Sequence, residues 1–251
     1  RFFLTFFREK GHFVPPAGVS RGQRITALFS RLTWPVHHIT NFAALPVPFA
    51  CVATDVHSGN AVVLSGGSLP LAMRASMAIP SFFIPVELDG RLLVDGGLTM
   101  NFPVDLARQM GADIIIGVDV SDNDKSIAEL KNISEILYWI SMYQNRKVLD
   151  DQRKRCDILV RPDIGKYRSA SFSAAAALTQ LGEQAARRQL PALRALAARV
   201  PVPATPPSPG TTAGSRFRVS RVTILGGTPA ERIQFRRILE IEQGKRMTAA
   251  A

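Results

Sequence analysis

An aspartate followed by two glycines stands between a predicted strand and a predicted helix. The triplet is Asp95-Gly96-Gly97, with residues 91–94 (RLLV) before it and a helix expected to begin near Pro103. Two glycines after a carboxylate let the backbone turn sharply and leave the acidic side chain at the end of a strand, where α/β sheets place their sites. Asp95 is therefore a candidate catalytic residue, although such a triplet alone is most often a plain turn.

The elements around this triplet are predicted from composition and turn residues. Residues 47–56 (VPFACVATDV) are rich in strand-forming types, and Ser58-Gly59-Asn60 indicates a turn into a second strand at 61–64. Residues 87–94 contain Asp89-Gly90 between apolar residues, which predicts another hairpin. Residues 69–78 are predicted to form a helix that Pro80 ends.

The following residues favour an α/β fold. Residues 113–120 (DIIIGVDV) form the apolar run typical of a parallel strand covered on both faces, and 156–160 read as the next strand. An apolar stripe with spacings of three or four lies between them, so the pattern predicts a βαβ unit. An Ala-rich helix is predicted over 171–199, with a kink at Pro191. The whole indicates a sheet with helices on both faces.

Several ordered motifs resemble one known family. They are residues 73–85 (MRASMAIPSFFIP), 89–97 (DGRLLVDGG), 101–104 (NFPV) and 111–113 (GAD), preceded by 53–55 (ATD) and Ser58-Gly59. Together they resemble the C-terminal blocks of patatin-like phospholipases, over about 23–120. The resemblance implies a three-layer α/β fold with a mostly parallel sheet flanked by helices, of which the N-terminal part would be missing here.

The resemblance also implies a function. Asp95 matches the aspartate of a Ser–Asp dyad without histidine, supported by Gly96 and Gly97, and the substrate would be a phospholipid or another fatty-acyl ester. This chemistry needs no cofactor and no metal. The family places its serine and its oxyanion loop upstream of the first residue of this chain. The expectation is therefore a phospholipase A or lysophospholipase as the parent protein and an inactive chain by itself; the alternative is an inert patatin-like fragment or interaction module.

One serine in this chain fits the sequence pattern of a serine nucleophile. Residues 18–22 (GVSRG) fit the GxSxG pattern around Ser20. A nucleophile elbow follows a buried strand directly, whereas Pro15 and Pro16 precede this motif and cannot donate to a central strand. We interpret Ser20 as a decoy within a loop that leads into a helix.

The remaining reactive residue types point to structural roles. His37 and His38 stand in a loop-like segment and His57 has no carboxylate at helical spacing, so we expect these histidines, like His12, to be ordinary surface or core residues. Cys51 and Cys156 belong to no metal-binding spacing, so we expect two small buried thiols. Two aspartates at predicted strand ends, Asp55 and Asp119, are expected to accept hydrogen bonds from nearby backbone.

The formal net charge is +11, but the basic residues are spread along the chain without a nucleic-acid-binding motif. The charge is compatible with anionic lipid headgroups at a membrane surface, and we expect no nucleic acid as a partner. Residues 32–54 contain no Asp, Glu, Lys or Arg, but three prolines predict a loop and a buried strand rather than a membrane span.

Composition divides the chain into three regions. Residues 1–200 are predicted to be the C-terminal portion of the patatin-like domain, 201–214 (PVPATPPSPGTTAG) a Pro-rich linker, and 215–251 the start of another unit. In the last region a strand over 217–225 and a helix over 229–241 resemble the beginning of a POTRA module. A patatin–POTRA arrangement implies a protein of the outer membrane, or one secreted through the periplasm. The sequence does not set an oligomeric state.

Overall fold

The structure is a computed structural model that describes residues 7–9, 12–14, 18–121, 146–165, 167, 171–200, 216–218 and 246–248. Its helices and strands form a mixed α/β arrangement. The helices are α1 Gln23–Leu32, α2 Leu69–Ser76, α3 Gly97–Met100, α4 Val104–Gln109, α5 Arg146–Lys154, α6 Ala175–Arg188 and α7 Leu190–Ala197, with 3-10 turns at Trp34–Val36, Phe42–Ala44 and Phe172–Ala174.

The strands are short. They are β1 Phe7–Glu9, β2 His12–Val14, β3 Gly18–Ser20, β4 Cys51–Asp55, β5 Ala61–Leu64, β6 Ser81–Phe83, β7 Val86–Leu88, β8 Arg91–Asp95, β9 Ile116–Val118, β10 Ile158–Val160, β11 Arg216–Arg218 and β12 Arg246–Thr248.

The largest described sheet is antiparallel. It has four strands in the order β5-β4-β8-β7, and each neighbouring pair runs in opposite directions. The expectation of a mostly parallel sheet is therefore wrong for this sheet. Two tight hairpins make the β4–β5 and β7–β8 pairs antiparallel, and the β4–β8 pair joins segments about forty residues apart in the chain. Parallel pairing occurs in β3 with β6 and in β9 with β10.

Both predicted hairpins are confirmed. The turn after β4 includes Gly59 at φ 70°, and β4 and β5 pair from Cys51 opposite Leu64. In the second hairpin, Asp89 and Gly90 have φ values of 51° and 72°. Two successive positive φ angles define the type I′ turn, whose twist matches that of paired strands.

The β9–β10 pair confirms the parallel relation that the βαβ pattern predicts. Both strands are shorter than predicted, at Ile116–Val118 and Ile158–Val160. The apolar stripe of Ile127, Leu130, Ile133, Leu137 and Ile140 lies outside the described residues. The described helix before β10 is α5.

Two helix predictions are confirmed with changed bounds. Helix α2 ends at Ser76, before Pro80. The long helix predicted over 171–199 is divided at Gln189 into α6 and α7, because Pro191 stands in the first turn of α7, where a missing N–H is tolerated.

The apolar core lies between α2 and the antiparallel sheet. Phe42 and Leu93 are its largest fully buried side chains. Residues 32–54 form the end of α1, two 3-10 turns and β4, which confirms the predicted loop and buried strand. Within the described ranges no helix is long and apolar enough to cross a membrane. The core cluster comprises Phe42, Leu45, Ala53, Leu64, Ala72, Ala75 and Leu93.

Near the C-terminus the structure describes only β11 and β12, which pair in antiparallel fashion. The predicted linker at 201–214, the helix at 229–241 and most of the strand at 217–225 lie outside the described residues. The division of the chain into three regions stays a prediction.

Candidate active site

Asp95 is the last residue of β8, and helix α3 begins two residues later. Its carboxylate oxygen Oδ1 accepts a hydrogen bond of 2.7 Å from the backbone N–H of Gly97. Oδ2 accepts no hydrogen bond within the described part of the chain. The turn therefore holds the carboxylate by one oxygen and leaves the other available as a proton acceptor.

Gly96 is required by a close backbone approach. A Cβ atom at this position would lie 2.1 Å from the carbonyl oxygen of Val52 and 2.5 Å from its carbonyl carbon. Both atoms belong to the neighbouring strand β4. Any side chain at residue 96 would push this turn away from the sheet.

The C-terminal end of α2 and the residues just after it fix the backbone of this turn. The N–H of Asp95 donates to the carbonyl of Ala78 at 3.1 Å, and the N–H of Gly96 donates to that of Ser76 at 3.3 Å. The position of the carboxylate thus depends on the packing of α2 against the sheet.

Two threonine hydroxyls support the turn from the other side. The buried Thr54 Oγ1 donates to the carbonyl of Asp95 at 2.9 Å. Thr99 Oγ1 lies 2.9 Å from Thr54 Oγ1. Thr99 stands in α3, so the pair joins β4, β8 and α3. Sequence analysis missed both residues; a threonine within the otherwise apolar, buried centre of β4 is the signal that marks Thr54.

Burial raises the pKa of the Asp95 carboxyl, and the hydrogen bond from Gly97 offsets only part of that effect. A carboxylate that has lost much of its hydration binds a proton more tightly than one in water. Asp95 is consequently a better general base than an exposed aspartate.

A buried arginine connects α2 to two other segments. Arg74 is 2% exposed; its Nη2 donates to the carbonyl of Arg21 at 3.4 Å and to that of Ile84 at 3.2 Å. Its guanidinium carbon lies 4.6 Å from the centre of the Phe83 ring, while Nη1 has no hydrogen-bond partner among the described residues. Arg74 thereby ties α2 to the residues around β3 and β6. An arginine among the apolar residues of a short helix is the sequence signal for this role.

The hydroxyl and the carbonyl oxygen of Ser20 both accept hydrogen bonds. Its hydroxyl accepts a 3.1 Å hydrogen bond from the N–H of Gly22, and its carbonyl accepts one of 3.1 Å from Ile84. In the described residues, Ser20 and Asp95 make no hydrogen bond to each other. The predicted helix start after Gly22 is confirmed, whereas the loop expected at 18–20 is wrong, because these residues form β3.

Asp55 and Asp119 accept hydrogen bonds from nearby backbone, as predicted. Asp55 receives the His57 N–H at 3.0 Å and the Ser58 hydroxyl at 2.9 Å. These hydrogen bonds lower the pKa of Asp55. Asp119 receives the Ser121 N–H at 3.0 Å and also forms a buried ion pair, with 2.5 Å between its carboxylate and Arg153.

The two cysteines carry free thiols with raised pKa values, and His37 stacks on an aromatic ring. Burial raises the pKa of the Cys51 thiol to about 11, against the opposing effect of its hydrogen bond with Ser76. This thiol is neutral at physiological pH and a poor nucleophile. Cys156 is also free, and its pKa is raised by burial. His37 stacks on Trp34 with ring centres 4.4 Å apart. The described residues contain no cluster of His, Cys, Asp or Glu suited to a metal ion.

The segment of the chain that contains Asp95 matches a known protein family. Residues 26–108 match the family model for patatin-like phospholipase. An uncharacterized NTE family protein of Mycobacterium tuberculosis is 31% identical over 137 residues, which cover 55% of this chain and 37% of that protein.

Two mammalian proteins are similar over a shorter segment. The mouse patatin-like phospholipase domain-containing protein 7 is 36% identical over 98 residues, covering 38% of this chain and 7% of that protein. The human patatin-like phospholipase domain-containing protein 6 is 36% identical over 96 residues, with the same coverage. The chain thus spans little more than a third of the mycobacterial relative and under a tenth of the mammalian ones. Residues 26–108, which include Asp95, Gly96 and Gly97, are similar to patatin-like phospholipases.

Proposed function

We propose that this chain is part of a lipid acyl hydrolase in which Asp95 is the general base. The observation that carries the proposal is the half-buried Asp95 carboxylate at the β8–α3 turn, within the segment similar to patatin-like phospholipases. Its raised pKa and its unoccupied Oδ2 suit a group that must take a proton from a nucleophile.

The proposed reaction uses a Ser–Asp dyad. The serine hydroxyl transfers its proton to Oδ2 of Asp95 while its oxygen attacks the ester carbonyl, and the alcohol leaves with a proton returned by Asp95. Water then hydrolyses the acyl-enzyme through the same proton acceptor and releases the fatty acid. No cofactor or metal enters this scheme. The nucleophile would be a serine other than Ser20, whose hydroxyl accepts the Gly22 N–H.

The proposed substrate is a phospholipid, a lysophospholipid or another fatty-acyl ester. It is supported by the family match and by the names of the mammalian relatives. The outer-membrane or secreted location and the POTRA module are further proposals, which rest only on the resemblance of residues 215–251.

A second proposal is an inert patatin-like interaction module. It is favoured by the described geometry, in which no serine hydroxyl makes a hydrogen bond to the Asp95 carboxylate. The two proposals differ in whether the protein turns over an ester.

The test is hydrolysis of a short-chain p-nitrophenyl ester by the full-length protein. Asp95→Asn is expected to lower kcat/KM by about 10²- to 10⁴-fold, the range of general-base contributions. Asp55→Asn is the matched control, since it makes the same chemical change at the end of the adjacent strand and should leave turnover unchanged. Unchanged turnover in Asp95→Asn would rule out Asp95 as the base. Loss of turnover in Ser20→Ala would identify Ser20 as the nucleophile. No turnover in any variant would favour the inert module.

A further inference from the structure

Helix α1 leaves two large apolar side chains in solvent. Leu28 is 41% exposed and Leu32 is 64% exposed, and α1 has no fully buried residue although it packs against α2. Residues four apart lie one above the other on a helix, so these leucines form one apolar ridge.

Two arginines lie along one side of this ridge. Arg24 and Arg31 are both exposed. At about 100° per residue, the two arginines and two leucines fall within one sector of roughly 100° around the helix axis. The half-buried residues of α1, Ile25, Thr26 and Phe29, fall outside that sector. The exposed face therefore combines two insertable leucines with two long cationic side chains beside them.

No acidic residue neutralises this face along the chain. Residues 10–54 contain no Asp or Glu, and the exposed Arg21 precedes α1. Within the described residues, Arg21, Arg24 and Arg31 form no salt bridge. The charges of this face are thus available to an external anion.

We propose that α1 docks this protein onto an anionic lipid surface. Leu28 and Leu32 would enter the boundary between headgroups and acyl chains, while the stems of Arg24 and Arg31 extend along it and their guanidinium groups bind lipid phosphates. Charge complementarity selects the anionic bilayer, and the arrangement of leucines beside arginines fits a planar interface. The inference rests on the proposed function in one respect, since a lipid substrate resides at such a surface.

The test is sedimentation of the full chain with vesicles of phosphatidylcholine alone or mixed with phosphatidylglycerol. The wild-type chain is expected to bind the mixed vesicles more strongly, and added salt should weaken that binding. Arg24→Glu with Arg31→Glu should weaken it by roughly 30-fold or more, because each basic residue near an anionic surface contributes about fivefold. Leu28→Ser with Leu32→Ser should weaken binding to about a tenth or less.

The matched control is Arg188→Glu with Arg194→Glu, which makes the same change of charge at exposed positions of α6 and α7. An equal loss of binding in this control would overturn the proposal in favour of overall charge. Equal binding of the wild-type chain to both vesicle types would also overturn it. So would size-exclusion chromatography that shows the wild-type chain self-associating and the leucine variant remaining monomeric. Turnover of a soluble ester by the full-length protein tests the proposed function separately. Vesicle binding by the chain, with no turnover by the full-length protein, would refute the hydrolase and leave the docking surface supported.

Discussion

Replacing Gly96 by alanine tests whether the turn that carries Asp95 is pressed against β4. The added Cβ would lie 2.1 Å from the Val52 carbonyl oxygen. Cβ contacts below 3.0 Å are essentially never seen, and 3.4 Å begins the ordinary range. The two backbones must therefore separate by about 0.9 Å (3.0 − 2.1) at least, and by about 1.3 Å (3.4 − 2.1) for an ordinary contact.

That separation cannot be confined to Gly96. Ala53 pairs directly with Asp95 across the sheet, and the N–H groups of Asp95 and Gly96 are bonded to the end of α2. Overpacking of this kind typically lowers the free energy of unfolding by about 1–3 kcal/mol. A displacement of about 1 Å at a catalytic group lowers kcat/KM by roughly 10²-fold.

Urea unfolding and ester hydrolysis, both on the full-length protein, measure the two effects. Gly182→Ala is the control, because Gly182 lies within α6 and its added Cβ would meet no atom within 4 Å. Alanine there should stabilise the helix by about 0.5–1 kcal/mol without changing turnover. A Gly96→Ala protein with the wild-type unfolding midpoint and wild-type kcat/KM would refute the close approach and its link to Asp95.

Substitutions at three positions have further defined outcomes. Asp95→Asn should be more stable than the wild type at neutral pH, because ionised Asp95 destabilises the fold above its raised pKa, and the difference should vanish in acid, where Asp95 is protonated in both states. Asp119→Asn should lose about 3 kcal/mol near neutral pH by breaking the buried pair with Arg153. Burial alone would raise the pKa of Asp119, but hydrogen bonds from Ser121 and Arg153 lower it, so this loss should shrink as the pH falls. Arg74→Ala should lower the free energy of unfolding by about 2 kcal/mol, and Arg74→Met by less, because methionine refills the volume.

Thermal or urea unfolding at several pH values checks all three. A stability deficit of Asp95→Asn at neutral pH would contradict the raised pKa. An Asp119→Asn deficit that grew in acid would contradict the lowered one. Equal losses in both Arg74 variants would show that its hydrogen bonds, rather than its packing, stabilise α2.

The sequence predicts local features of this fold well. The hairpin at Asp89-Gly90 and the end of α2 before Pro80 follow from the backbone preferences of one or two residues. Asp95 is located by the same kind of reasoning, because two glycines after a strand leave few alternatives to a tight turn. These signals are contained in the residues that form them.

Features that depend on distant partners are not predicted. The antiparallel pairing of β4 with β8 joins residues about forty positions apart. The close approach at Gly96 involves the backbone of Val52 rather than its side chain. The hydrogen bonds of Arg74 Nη2 likewise depend on the backbone carbonyls of Arg21 and Ile84, which lie in other segments. No local pattern encodes such contacts, since they arise only when the segments pack.

Asp55 and Asp95 occupy similar positions at strand ends, but their carboxylates differ in how far they are solvated. Asp55 and Asp95 end adjacent strands of one sheet, and both accept a backbone N–H from the residue two positions later. The Asp55 carboxylate uses both oxygens within its turn and has a lowered pKa, so it is a weak base. The Asp95 carboxylate uses one oxygen and has a raised pKa because it is buried. A strand end thus supplies a position, and the loss of water around Asp95 supplies the basicity that the proposed proton transfer requires.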